Sequence, residues 1–511
     1  MRGQEPGRPF PNRAAITISI MLATFMQGVD TTITNVALPH MQGSLSASQD
    51  EIAWVVTSYI VAAAIMTPLT GWLAGRFGIK YVFLISVIGF TLASALCGAA
   101  ASLTQLVSFR LLQGICGAAL VPLSQAVLFQ INPPERHAKA MAVWGMGVIL
   151  GPIIGPALGG YLTDYYNWRW VFYINLPVGI LAAIGIFVFM HESRRGHREL
   201  FDFFGFAALS IAIGALQMLL DRGELKDWFG SVEIWIEATV AALALYLFIV
   251  HTVTASDRSF LNRDLLRDAN CVCGTLLMFL IGIPLYGTMT LLPLMLQNLM
   301  NYPVVTTGLV TAPRGIGTMI AMFLVARLVG RIDTRLIILT GILVTAVAMW
   351  QMTGFSLQMG MGPIITTGLL QGFGLGFVFT PLSIVTFSTL PRQIMTQGTA
   401  IFSLMRNIGG SIGISVVVAL LAENTQTVHS RLIENLRPDN PLAHAPYLSV
   451  PYSLGTTTGI AALNAEVTRQ AAMVAYIDDY KLMMIIVLLG APLLLLLRKP
   501  RPPAASPVPA E

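Results

Sequence analysis

The chain is laid out as a succession of apolar stretches, each about as long as a lipid bilayer is thick. A hydrocarbon core of about 30 Å is spanned by about 20 helical residues. Runs of that length lie at about 14–39, 52–75, 80–101, 104–131, 138–163, 168–191, 203–221 and 231–253. Six more follow at about 270–297, 305–326, 335–355, 363–388, 397–421 and 479–498, which makes about fourteen. In lipid every backbone N–H and C=O must find its partner within the chain, so runs of this kind fold as helices. The residues therefore predict an all-α integral membrane protein. Composition agrees: 55% of the residues are hydrophobic and only 11% are charged, which does not suit a water-soluble fold.

Charge between the runs orients them. Arg2, Arg8 and Arg13 precede the first run, which is too long for a signal peptide and lacks a small-residue cleavage site, so it reads as the first span. With the N-terminus placed in the cytoplasm, twenty Lys and Arg residues fall in cytoplasmic segments and seven in outer ones. This positive-inside bias, with an even number of spans, puts both termini in the cytoplasm. Residues 1–13 are then a cytoplasmic N-terminus, and the Pro- and Ala-rich 499–511 a disordered cytoplasmic tail. One outer segment, 422–478, is long. It opens with a polar helical pattern from Glu423 to Arg437, crosses a breaker cluster from Pro438 to Pro451, and closes with a second helical pattern from Ala461 to Tyr480. Structured loops of this length usually carry function; a passive outer cap is the alternative.

The chain also repeats itself. Leu111-Leu112-Gln113-Gly114 recurs as Leu369-Leu370-Gln371-Gly372, and the same offset of 258 carries Gly151 onto Gly409 and Gly155 onto Gly413. Gly75-Arg76 recurs as Gly330-Arg331, and Lys80 as Arg335, at an offset of 255. Two six-helix bundles, 14–191 and 270–498, are expected to face one another across a pseudo-twofold axis, with two helices at 203–253 inserted between them. Such halves can rock against each other, the physical basis of alternating access.

Within the fifth run, Gly147-Val148-Ile149-Leu150-Gly151-Pro152-Ile153-Ile154-Gly155-Pro156-Ala157-Leu158-Gly159-Gly160 would be a poor helix in water. Each glycine costs about 1 kcal/mol and an interior proline about 3 kcal/mol. In lipid the stretch stays helical, with the prolines expected to bend it. Gly147, Gly151, Gly155 and Gly159 recur every fourth residue and leave a smooth stripe on which another helix packs closely. Tight packing alone explains such a stripe as well as a moving part does.

Ionisable residues inside the runs are the candidates for chemistry, because a charge at bilayer depth needs a partner or a proton. Asp30 lies well inside the first run and Arg110 inside the fourth. Arg110 stays charged and needs acceptors, so protonating Asp30 would leave it unpaired and favour another arrangement. A permanent salt bridge is the alternative. Arg314 and Arg406 either bind anionic groups, join polar networks between the halves, or snorkel to an interface from near a helix end; Arg406, which shares a glycine-striped helix, is expected in the interior. A substrate pocket needs apolar, adaptable walls with a few polar groups. Its candidates are Phe25, Met26, Thr34, Asn35, Tyr59, Gln113, Trp144, Met146, Gln217, Tyr286, Arg314, Gln371, Arg406 and Asn407. Cys97, Cys116, Cys271 and Cys273 fall in apolar runs with no histidine or acid beside them, so no metal site is expected. The basic residues are dispersed in short loops, which argues against nucleic acid, and no P-loop is present to bind ATP.

Gly151-x-x-x-Gly155-Pro156-x-x-Gly159-Gly160 resembles the antiporter signature in the fifth helix of drug exporters of the major facilitator superfamily. Trp168-Arg169-Trp170-Val171-Phe172-Tyr173-Ile174-Asn175-Leu176-Pro177-Val178-Gly179 resembles the start of helix six in their fourteen-helix branch, drug:proton antiporter family 2. The resemblance runs from about residue 14 to the last helix. It implies the major facilitator fold and a proton-driven antiporter, not an enzyme, exporting drugs or other amphipathic toxic compounds across the inner membrane. No cofactor beyond the proton gradient is implied. The implied partners are a periplasmic membrane-fusion adaptor and an outer-membrane channel, with the 422–478 loop as the expected contact.

The resemblance also suggests roles. Asp30, the acid of the helix-one signature, and Arg110 are implied in proton coupling. Gly151, Gly155, Pro156, Gly159 and Gly160 are implied in conformational change, as are Gly75 and Arg76 in the turn between helices two and three. Gly75 stands where that gating motif has aspartate, so the usual charge relay lacks its acid. Asp221-Arg222-Gly223 also matches the branch and reads as a structural cap. The same scaffold would serve a dedicated exporter of one metabolite, such as a lipid or siderophore. A non-transporting sensor is a further reading, against which the repeat, the stripe and Asp30 stand.

Overall fold

The computed structural model describes residues 12–191, 201–254, 262–391, 394–434, 452 and 456–498. The expected N-terminal segment up to residue 11, the breaker cluster 438–451 and the tail 499–511 lie outside the described residues. The first half comprises α1 (Arg13–Leu45), α2 (Gln49–Met66), α3 (Leu69–Phe77), α4 (Ile79–Ala99), α5 (Leu103–Gly117), α6 (Leu120–Ile131), α7 (His137–Tyr165), α8 (Trp170–Tyr173) and α9 (Asn175–Phe189). An inserted pair follows, α10 (Phe203–Arg222) and α11 (Val232–Thr254). The second half comprises α12 (Arg263–Arg267), α13 (Ala269–Asn298), α14 (Val304–Thr311), α15 (Pro313–Leu328), α16 (Thr334–Met352), α17 (Met361–Phe387), α18 (Met395–Ile433) and α19 (Thr457–Leu489).

Twelve helical stretches among the described residues are long and apolar enough to cross a membrane, and thirteen when α2 and α3, bent by 56°, count as one. The fourteenth expected span is α19, whose apolar half opens with Asp478, Asp479 and Lys481. The breaks have local causes. Pro68 stands between α2 and α3, and Pro313 opens α15; a proline has no N–H to continue the ladder and its ring crowds the preceding turn. By contrast α7 runs through Pro152 and Pro156 as one helix. Side-chain caps start several helices: Ser48 and Glu51 form a capping box on α2, and Asp202, Asp268 and Asp333 cap α10, α13 and α16. Gly78, at φ 95°, both ends α3 and begins α4. That turn requires a residue without a Cβ.

The repeat read in the sequence is a repeat of packing. In the first half α1 packs on α7 and α9, α2 on α5, and α4 on α5 and α9. In the second half α13 packs on α18 and α19, α15 on α17, and α16 on α17 and α19. The halves meet in the same pseudo-symmetric way: α7 lies against α14, α15 and α17, while α18 lies against α2, α3 and α6. On the face where α1 begins, Phe129 and Phe387 meet edge to face at 5.5 Å, and Gln397 covers Gly71. The inserted α10 packs on both α2 and α18, and Ser415 donates to the Leu220 carbonyl at 2.6 Å. Asp221 accepts from the hydroxyl of Thr57 in α2, a tie between α10 and α2 rather than a helix cap. α11 packs mainly on α10, and only 17% of its apolar window is buried, the exposure of a helix left to lipid.

The glycine stripe faces inward rather than across the divide. A Cβ added at Gly151 would stand 2.7 Å from the Gly28 carbonyl carbon, and one at Gly159 2.8 Å from Ile33 Cγ1, both on α1. Its mates behave alike: a Cβ at Gly413 would stand 2.7 Å from Ile283 Cα on α13. A different face of α7, carrying Gly145, Ile153 and Ala157, meets the second half at Met322, Gly315 and Gly308. The stripe thus welds α7 to α1, and α7 carries that unit to the divide.

Candidate functional site

Asp30 sits near the midpoint of the 33-residue α1 and is 0% exposed. Arg110 of α5 donates from Nη1 to one carboxylate oxygen at 2.7 Å. Gln113, one turn along the same face of α5, donates from Nε2 to the other oxygen at 2.9 Å. Asn175, the first residue of α9, donates from Nδ2 to that same oxygen at 2.9 Å. A second ring of bonds fixes these donors. Arg110 also gives Nη1 to Gln113 Oε1 at 2.8 Å and Nε to the Val55 carbonyl of α2 at 3.1 Å. Asn175 reaches Ser94 Oγ of α4 at 3.0 Å, and Ser94 donates to the Phe172 carbonyl at 2.8 Å. The guanidinium stands 4.3 Å from the centre of the Tyr59 ring, a cation–π contact.

Three donors aimed at one carboxylate describe the ionised form, since only the anion accepts at every site. Bonds to a charged group are worth about 1.5–3 kcal/mol each. Removing one partner of a buried ion pair costs about 3–5 kcal/mol, because the survivor is left charged and unpaired. A proton on Asp30 would cancel the charge on which Arg110, Gln113 and Asn175 converge and leave Arg110 without its counter-ion.

The repeat provides a neutral counterpart. The offset of 258 carries Asp30 onto Thr288, Gln113 onto Gln371 and Arg110 onto Gly368. In the second half Gln371 Nε2 donates to Thr288 Oγ1 at 2.9 Å, both residues 0% exposed. The glutamine contact survives there without a charge. Arg314, half-buried, donates from Nη2 to the Leu285 carbonyl at 3.0 Å.

The other expected residues do not gather into one pocket. Thr34 donates to the Asp30 backbone carbonyl at 2.8 Å, Phe25 is half-buried against the apolar cluster that includes Val29 and Ile33, Met26 is buried, and Asn35 is exposed. Tyr286 packs on Gly410, and Tyr59 is buried against the Arg110 guanidinium. Trp144 is 0% exposed and stacks on Phe379 at 6.1 Å, also across the divide, with Met146 half-buried nearby in sequence. Gln217 is buried in α10, with its Nε2 unpaired among the described residues. Arg406 is buried and reaches Asn407 Oδ1 only at 3.4 Å. Gly75 is exposed with open space beside it, and Arg76 lies over Trp72 at 5.7 Å. Gly160 is buried and Pro156 half-buried in α7. An apolar groove of about 430 Å³ runs between α7 and α14, lined by Ile153, Ile154, Ala157, Leu158, Tyr161, Gly308, Leu309 and Ala312, and none of the expected pocket residues lines it.

Two participants, Asn175 and Ser94, and one buried acid outside the network escaped the sequence reading. Asn175 lies inside the helix-six motif, as a lone amide in an apolar run, and that polarity was its signal. Ser94 is one small hydroxyl among apolar neighbours and carried none. Asp479 of α19 is 1% exposed, so Asp30 is not the lone buried acid.

Two pseudo-symmetric helical halves, one enclosing a charged pair at bilayer depth, define a membrane transporter rather than an enzyme. The chain belongs to the major facilitator superfamily, which it matches over residues 20–414. It is 37% identical over 434 residues to the multidrug export protein EmrB of Escherichia coli K12, covering 84% of this chain and 85% of that one. It is 35% identical over 491 residues to the fatty acid resistance protein FarB of Neisseria gonorrhoeae, covering 95% and 96%. Among solved structures, the proton:xylose symporter XylE is similar with a TM-score of 0.61 at 14% identity, over 94% of each chain. The human organic anion transporter MFSD10 is similar with a TM-score of 0.60 at 15% identity, over 95% of this chain and 100% of that one.

Proposed function

We propose that this protein is a proton-driven antiporter that exports amphipathic toxic compounds across the inner membrane, with both termini in the cytoplasm. The observation that carries the reading is the enclosed Asp30, held by Arg110, Gln113 and Asn175 in the half whose α1 is welded to α7. Protonation cancels the charge on Asp30, and Arg110, which stays charged, turns to other acceptors. The six helices that share the network, α1, α2, α4, α5, α8 and α9, then shift together. Because α1 and α7 move as a unit, the shift reaches α14, α15 and α17 on the far side of the divide. Export substrates of EmrB-like relatives supply the class: the names of these relatives speak of multiple drugs and of fatty acids. Everted membrane vesicles given a proton gradient and no ATP should accumulate a lipophilic cationic dye. Accumulation that continues after the gradient is collapsed rules this energy source out.

The α18–α19 hairpin supports a further part of the proposal. α18 has 39 residues, about 58 Å of helix at a rise of about 1.5 Å per residue, against a hydrocarbon core of about 30 Å. Its last turns stand clear of the membrane, where His429 meets Asn464 Oδ1 of α19 at 3.0 Å. This hairpin is the surface offered to a periplasmic membrane-fusion adaptor, which leads to an outer-membrane channel. Replacing the outer turns with a short linker should abolish co-purification of a co-expressed adaptor while the protein still inserts; undiminished co-purification refutes the assignment. A narrower reading, export of anionic lipids alone, is favoured by half-buried Arg314 with its single carbonyl acceptor and by the fatty acid resistance relative. Competition of fatty acids, but not of lipophilic cations, for dye export would select it.

A further inference from the structure

Asp479 lies on the buried face of α19, at 1% exposure, and among the described residues neither of its carboxylate oxygens has a hydrogen-bond partner. Its surroundings are apolar. Tyr476, Tyr480 and Met483 of α19 join Leu291, Leu292 and Met295 in one hydrophobic cluster. Tyr480 gives its hydroxyl to Met295 Sδ at 3.9 Å, so that phenol does not serve the acid. The helices packed on α19 are α13, α16 and α18. Between Leu277 and Asn298, between Leu336 and Met352, and between Asn407 and Ala422, these helices carry no Asp, Glu, Lys, Arg or His; Tyr286 is the one titratable side chain in those stretches. Glu423 of α18 is exposed. On α19 itself the neighbouring charges are Asp478 and Lys481, which pair with each other at 2.9 Å on the exposed side. Tyr476 is the remaining titratable neighbour.

An ionised carboxylate with no donor and no cation does not persist in such a place, and the group takes up a proton instead. We propose that Asp479 is a second proton-binding site, occupied in this conformation, which empties when α18 draws away from α19. Asp30 and Asp479 are then in opposite states within one structure. Asp30 is held as the anion by three donors, whereas Asp479, with none, is held as the neutral acid. α18 connects the site to transport, because it contributes Val417 and Leu421 to the cluster around α19 and also packs on α3 and α6 across the divide. Rocking of the halves moves α18, admits water to Asp479 and releases the proton as hydronium; the return movement recaptures one. The role, though not the occupancy, rests on the antiporter reading above.

Infrared difference spectra of the full chain in lipid, with Asp479→Asn as reference, separate the two. At neutral pH the native protein should show the carbonyl stretch of a protonated carboxylic acid, retained by Asp30→Asn and missing from Asp479→Asn. A band that survives Asp479→Asn, or that is absent from the native protein at neutral pH, overturns the site. Asp479→Asn mimics the neutral acid and should fold as well as the native chain, and Asp479→Leu provides an apolar second variant. Both variants should lose gradient-driven dye accumulation severalfold while keeping dye binding. Accumulation at the native rate with a native pH profile in both variants overturns the role. If the native protein itself moves no dye on a gradient, the antiporter reading fails, and the band alone decides the proton site.

Discussion

The two halves of this protein carry the same glutamine in the same place and set it to different work. In the first half Gln113 serves a carboxylate that also holds Arg110; in the second, Gln371 serves the hydroxyl of Thr288, and Gly368 stands where the arginine would be. The helices around both sites pack in matching pairs. Scaffold and charge have therefore parted company: the repeat builds a matching pair of bundles, and at this repeated position only the first carries an ion pair. A proton acting on one half of a symmetric frame biases the frame as a whole, whereas equal charges in both halves would double the burial cost.

The sharpest way to break the comparison is to neutralise each centre in turn. Asp30→Asn should abolish dye accumulation driven by a proton gradient, while Thr288→Val should leave accumulation within about threefold of native, the effect of one lost neutral hydrogen bond. Equal losses would show that the charge on Asp30 is not what distinguishes the two centres. Next in size is the arginine. Arg110→Ala leaves Asp30 buried and unpaired and should cost about 3–5 kcal/mol in reversible unfolding. Arg314→Ala, removing one charge-assisted bond to a carbonyl from a half-buried side chain, should cost less, about 1.5–3 kcal/mol.

The glycine stripes test the sameness of the halves rather than their difference. Gly151→Ala would place its Cβ 2.7 Å from the Gly28 carbonyl carbon, and Gly413→Ala 2.7 Å from Ile283 Cα. Backbone meets methyl in both, so each should destabilise by about 1–3 kcal/mol, and by similar amounts. Gln113→Ala should cost about 1.5–3 kcal/mol and Gln371→Ala about 1 kcal/mol, the difference between a charged and a neutral acceptor. The smallest effect is expected at Gly75. A Cβ there meets nothing within 4 Å, so Gly75→Asp should change stability by less than about 0.5 kcal/mol and leave accumulation near native.

What could be read without coordinates follows from how far each signal reaches along the chain. Span-length apolar runs, the offset repeat and the position of Asp30 are local or periodic, so helices, halves and the acid were legible. Arg110 was legible because a charge in an apolar run declares itself. Its partnership with Gln113 follows from helical spacing, but the arrival of Asn175 and Ser94 depends on how α9 and α4 cross α1, which no local pattern encodes. The direction of the glycine stripe was likewise hidden. A bare face says that something packs closely, not whether the neighbour is α1 or the opposite half. Asp478 and Asp479 look alike in the sequence; only helical phase, with Tyr476, Tyr480 and Met483 buried alongside, separates the exposed acid from the enclosed one. The expected drug-pocket residues were chosen one by one from different helices; Gln113 and Gln371 fall in the two repeated polar centres, the others are scattered, and none lines the groove between α7 and α14.

The central claim is that the proton acts through Asp30 and not merely near it. Proteoliposomes preloaded with unlabelled dye and given labelled dye outside, with no proton gradient, measure exchange independently of coupling. Asp30→Asn should keep this exchange, lose its dependence on pH, and fail to concentrate dye when a gradient is imposed. An Asn variant that concentrates dye as the native protein does, with the native pH dependence, contradicts the account.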